Sequence, residues 1–106
     1  MLPKPRDTPP QYSNSLARQY AQEHHRFLTE SNPKFLANLR QSGELESHLH
    51  SVGEQAAAMY ETIMMQGSQT KAMQNLPFQQ KLEALQSLQQ STQESVRNDL
   101  IYQPVP

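Results

Sequence analysis

The most regular pattern in the chain lies between Leu45 and Ile63, where Leu45, Leu49, Val52, Ala56, Met59 and Ile63 recur at alternating intervals of four and three residues. This spacing draws an apolar seam along one face of a helix; a half-buried strand would alternate every second residue instead. Tyr60 and Met64 widen the seam on its flank. Gly53 sits inside it and costs about 1 kcal/mol relative to alanine. Together with Ala56, Ala57 and Ala58, however, it lets another helix approach closely.

The same period recurs on both sides of this segment. Leu16, Tyr20, Phe27 and Leu28 predict a first helix, starting at the Ser13-Asn14-Ser15 cap cluster and stopping near Glu30. Asn32 followed by Pro33 opens a short second helix carrying Phe35, Leu36 and Leu39, which Gly43 ends. The seam helix closes at Gly67, a polar linker covers Ser68 to Asn75, and Pro77 starts a last helix with Phe78, Leu82, Leu85, Leu88, Val96 and Leu100, an apolar stripe expected to pack on the seam as core. That helix ends before Pro104. At roughly 24 residues it would be on the order of 36 Å long, more than a core this small requires.

These elements predict an all-α fold: a small helical bundle built on a long antiparallel helical hairpin of the third and fourth helices, with two shorter N-terminal helices packed across it. Residues 14–103 form the single domain. A proline-rich arm, residues 1–13, precedes it, and residues 104–106 form a tail. The arm holds four prolines and no apolar periodicity, so its removal is expected to leave the fold intact. With 106 residues, 35% of them hydrophobic, there is material for one modest core. The chain has no cysteine, which excludes disulfides and thiol chemistry and fits a reducing, cytoplasmic setting. No run of 18 apolar residues exists, so a membrane span is not expected.

Charge changes the picture in one respect. The net charge of -1 hides a segregation: Arg18, Glu23, Arg26, Glu30, Lys34 and Arg40 leave the N-terminal helices net positive, while Glu44, Glu46, Glu54 and Glu61 stand on the third helix with no Lys or Arg as far as Gly67. Six of the 15 glutamines, Gln79, Gln80, Gln86, Gln89, Gln90 and Gln93, fall in the last helix and give it an uncharged polar face. The turn at Ser42-Gly43 imitates a helix-turn-helix. Its second helix would offer phosphates only glutamates, which argues against DNA reading, since binding requires their neutralisation by Lys and Arg. A nucleic-acid alternative rests on Lys4, Arg6, Arg18, Arg26 and Arg40, which are sparse.

The run His25-Arg-Phe-Leu-Thr-Glu, then Pro33-Lys-Phe-Leu-Ala-Asn-Leu, then Ser42-Gly-Glu-Leu resembles the transposon-encoded TnpV family. Leu49, Val52-Gly-Glu-Gln-Ala and the terminal Asn98-Asp-Leu-Ile-Tyr look like that family's Glu-Gln-Ala segment and Glu-Leu-Ile-Tyr ending, so the likeness spans about Arg18 to Tyr102. The chain departs from the family in lacking a tryptophan common in the last helix, and its glutamine-rich stretch Gln86 to Gln93 replaces a more basic one. The resemblance implies an accessory protein of a mobile element and supplies no mechanism.

Candidate chemistry is thin. His24, His25, His48 and His50, with Glu44 and Glu46, invite a metal site, but residues two apart on a helix diverge by about 200°, so His48 and His50 cannot share an ion. His24 falls on the apolar stripe between Tyr20 and Phe27 and reads as a hydrogen-bonded interior histidine. His25, with Arg18 and Gln22, reads as solvated surface. Serines stand in cap or surface positions without an adjacent base, and no glycine-rich phosphate loop occurs; neither catalysis nor a cofactor is expected. Function is expected to rest on helix surfaces, in a protein-binding or regulatory module of a mobile element or phage, including an inhibitor of a host defence protein. Met64, Met65, Phe78, Glu54 and Gln55 are the candidate partner-binding residues. Because the short second helix can cover only half of a long hairpin, the end near Met64, Met65 and Phe78 should be left apolar and bare, and a homodimer is the expected remedy.

Overall fold

A computed structural model describes residues 11–102. The prolines of the arm, Lys4, Arg6 and the tail lie outside the described residues. Within them the elements are α1 (Ser15–Ser31), α2 (Pro33–Ser42), α3 (Leu45–Ser68), α4 (Lys71–Gln74) and α5 (Phe78–Val96), followed by a π-helical turn, Arg97–Ile101. No strand occurs among the described residues, and the fold is all-α.

Local chemistry sets the boundaries. Asn14 caps α1 by accepting the Ala17 N–H at 2.8 Å, and Asn32 ends α1 and caps α2 by accepting from Phe35 N–H at 3.3 Å, with Pro33 at the first helical position. Gly43 takes the left-handed conformation (φ 77°), which lets the Gly43 and Glu44 N–H groups close back on the Arg40 and Leu39 carbonyls. The expected linker from Ser68 to Asn75 contains a short helix, α4, because the Thr70 hydroxyl accepts the Met73 N–H at 3.2 Å. The last helix also ends differently from expectation. Its final turn widens so that the Tyr102 N–H reaches the Arg97 carbonyl at 2.7 Å. Five residues would diverge by about 140° on an α-helix; the wider turn keeps both Val96 and Ile101 fully buried.

The seam of α3 packs most extensively against α1, and then against α5. Contact is closest at Gly53, where a Cβ atom would collide with the carbonyl oxygen of Ala17 and lie 3.0 Å from the Ala21 Cβ. Around this crossing Tyr20, Ala56, Val96 and Ile101 are buried together, with Leu16, Val52, Met59 and Leu100 packed on them. A second cluster, Leu28, Leu36 and Leu39 with Phe27, Phe35 and Leu45, fixes α2 over the start of α3. Each fully buried leucine in it is worth about 1.5–3 kcal/mol relative to exposure.

Two expectations need correction. Leu82, Leu85 and Leu88 do not line the core: Leu82 is 43% exposed, the other two are only partly buried, and Thr92 and Val96 are the buried residues of α5. The reason lies in α1, which runs opposite to α3, from Asn14 beside Glu61 back to His24 beside His48. Among the described residues nothing from the N-terminal helices accompanies α3 and α5 past that level. The arm also ends earlier than residue 13. The Ser13 N–H and hydroxyl both donate to Glu54 at 2.7 Å, and His50 Nε2 lies 3.0 Å from the Gln11 carbonyl, so Gln11 to Ser13 belong to the packed body. The molecule measures 57 × 39 × 17 Å, with a radius of gyration of 17.5 Å, against about 13 Å for a compact chain of this length.

Candidate functional site

The C-terminal half of α3, α4 and the first half of α5 form a projecting end in which no residue from Ala58 to Ser91 is buried. Its apolar side chains are nevertheless numerous. Phe78 is 75% exposed and Met65 56%, while Ile63, Met64, Met73, Leu76, Leu85 and Leu88 are partly buried around them. α3 and α5 touch here through Gly67, whose missing side chain leaves room for the Leu88 methyls; a Cβ there would stand 2.7 Å from one of them. Between Thr62 and Gln93 the charged residues are Lys71, Lys81 and Glu83. This face therefore offers shape, apolar area and amide hydrogen bonding, with almost no electrostatic steering.

Of the residues singled out for a partner, Met64, Met65 and Phe78 lie on this projecting end. Glu54 does not. Its carboxylate accepts both donors of Ser13 and stands 3.5 Å from His50 Nε2, and those hydrogen bonds hold its pKa below the ordinary carboxylate value. It thus ties the start of α1 to α3. Gln55 is exposed and donates to Ser51, one turn earlier on the same helix.

Among the described residues the candidate cations Arg18, Arg26 and Arg40 do not gather. Arg18 lines a cavity of about 260 Å³ with Tyr12, Gln22, His25, Glu46 and Leu49, whereas Arg26 lines another with Glu23, Phe27, Glu30 and Tyr102. Each shares its space with carboxylates. Arg40 is exposed in the last turn of α2. A phosphate-tracking stripe requires several cations on one surface, and Arg18, Arg26 and Arg40 do not make one.

The histidines separate in the way the helical spacing requires. His50 turns to the Gln11 carbonyl, Tyr12 and Glu54, while His48 meets His24 across the α1–α3 interface, Nε2 to Nε2, at 3.0 Å. His24 is 1% exposed and its Nδ1 lies 2.8 Å from the Ile101 carbonyl, as an interior hydrogen-bonded histidine should. His25 departs from the expectation of solvated surface. It is partly buried beside the first cavity, and its Nε2 is buried without a hydrogen-bond partner among the described residues. No group of three or more metal-ligating side chains comes together among the described residues. Nor is any of their helices long and apolar enough to cross a membrane.

The His24–His48 contact escaped the sequence reading because its partners are 24 residues apart on different helices. The Arg97–Glu23 pair escaped for the same reason. There the guanidinium grips both carboxylate oxygens, at 3.1 and 2.9 Å, which raises the Arg97 pKa and fixes the π turn to α1.

A family model described as transposon-encoded protein TnpV matches residues 7–101. No curated protein and no solved structure matches the chain.

Proposed function

The chain belongs to the TnpV family of transposon-encoded proteins, and from that premise we propose that it is a non-enzymatic protein-binding module of its mobile element, docking through the bare end of α3 and α5. The observation that carries this reading is the exposure of Phe78, Met65 and Leu82 on one projecting end. A buried phenylalanine removes roughly 150–250 Å² from water, and apolar patches of a few hundred Å² on a folded chain mark sites of association. The first occupant in this reading is a second copy of the chain. Two such ends can cover each other about a twofold axis, and with only Lys71, Lys81 and Glu83 charged from Thr62 to Gln93 little of like sign opposes the pairing. Inhibition of a host defence protein would use the same surface on a foreign partner. The scattered placement of Arg18, Arg26 and Arg40 gives the nucleic-acid alternative no support.

Light scattering at roughly 100 μM tests the reading. The expected result is a dimer mass that persists from physiological to about 1 M salt, since an apolar contact is not screened. Phe78→Lys should yield a folded monomer, because the side chain contributes little to the fold of the single chain. A monomer mass at both salt levels, or a dimer indifferent to Phe78→Lys, would overturn the homodimer.

A further inference from the structure

The contact between His24 and His48 constrains where every imidazole proton can sit. A carbonyl oxygen only accepts, so the His24 Nδ1 that lies 2.8 Å from the Ile101 carbonyl carries a hydrogen. Neutral His24 then has a lone pair at Nε2. That nitrogen is 3.0 Å from His48 Nε2, a distance that needs one hydrogen between the two atoms, and His48 must provide it. The free nitrogen of the pair is accordingly His48 Nδ1, on a ring that is only partly buried.

We propose that this pair is an acid-sensitive clasp between α1 and α3, which tolerates one added proton and is opened by the second. The first proton goes to His48 Nδ1, and the cation continues to donate to His24. A second proton has only His24 Nε2 left to bind. It sets two N–H groups and two positive charges against each other across 3.0 Å, and no tautomer relieves them. His24 is enclosed and anchored on Ile101, so His48 gives way. Its edge-on contact with Phe35, at 5.5 Å between ring centroids, is lost with it, and the end of the molecule where α1, α2 and α3 meet is loosened.

The surroundings leave the pair to answer to protons alone. The titratable groups that face it are each ring for the other and, on α1, His25, whose charge opposes protonation of His24. α2 contributes Phe35 and the π turn contributes the Ile101 carbonyl, and no carboxylate among the described residues pairs with either ring. Burial lowers the proton affinity of both rings, and their mutual repulsion lowers that of His48 further. With both values below the ordinary 6.5, the unfolded chain takes up protons first as pH falls. The stabilisation is therefore complete above that value and drains away beneath it.

Imidazole nitrogen–proton correlation spectra at about pH 8 should show the Nδ1–H tautomer for His24 and the Nε2–H tautomer for His48. Urea midpoints followed from about pH 8 to about pH 5 should fall for the parent chain. His48→Gln places an amide N–H where Nε2–H stood and cannot titrate. It should keep a similar midpoint at the alkaline end and lose roughly half or more of the decline, whereas His50→Gln, on the other contact surface, should keep the decline. The opposite tautomers, or a decline in His48→Gln equal to that of the parent, would overturn the clasp. Should His48→Gln not fold, the tautomers of the parent chain decide the matter alone.

Discussion

The N-terminal half of α3 meets α1, α2 and the C-terminal turn, whereas the half beyond Glu61 has only α4 and α5 for company. Both halves carry the same heptad seam of similar residues. In the first, Leu49, Ala56 and Ala57 are buried and Ser13–Glu54, His24–His48, His24–Ile101 and Glu23–Arg97 tie distant elements together. In the second, Ile63, Met64 and Met65 keep contact with water, and the side-chain hydrogen bonds of Ser68, Thr70 and Ser91 reach only three residues along the chain. An amphipathic stripe thus declares that a face needs covering; what covers it depends on where the neighbouring helices stop.

The largest test of this contrast sets one substitution against itself in the two halves. Leu28→Ala empties a fully enclosed site and should cost about 3–4 kcal/mol, while Leu85→Ala, at the open end, should cost about 1 kcal/mol. Urea unfolding measures both, and equal losses would erase the distinction. A glycine pair sharpens it at a finer scale. Gly53→Ala drives a methyl into the rigid Ala17 carbonyl and should cost about 1–3 kcal/mol despite the gain in helix propensity, whereas at Gly67 the methyl meets the mobile tip of Leu88 and the propensity gain of about 1 kcal/mol should make Gly67→Ala neutral or stabilising. Thermal melts of the two variants should therefore move apart. The smallest effect concerns pH. Because the Glu54 pKa is depressed by its Ser13 contacts, the stabilisation it brings exists above the ordinary carboxylate value of 4.5 and is lost as pH falls through the depressed one. Glu54→Gln should lower the urea midpoint at neutral pH and flatten its acid limb.

Helix boundaries were legible in the sequence because they are written in single residues with one steric meaning. Asn32-Pro33 and Gly43 set the α1–α2 and α2–α3 junctions where the chain has them. The close approach announced by Gly53 was legible as well, although its partner was not: Ala17 is small and ordinary, and only the crossing identifies it. The core assignment of Leu82 and Leu85 failed because periodicity counts faces without counting the helices available to cover them. α4 hides in a polar stretch whose one signal is Thr70, three residues before Met73. The projecting apolar end was anticipated from helix lengths alone, while the histidine clasp, joining residues remote in sequence, had no local signature.

The slender outline also governs how the molecule moves through water. A radius of gyration of 17.5 Å is what a compact chain of roughly 230 residues would have. One copy therefore meets more friction than a round globule of its mass, diffuses slowly for its weight and tumbles unequally about its long and short axes. On a column calibrated with round standards a single chain will elute ahead of its true mass, and sedimentation will give a low coefficient for the same particle.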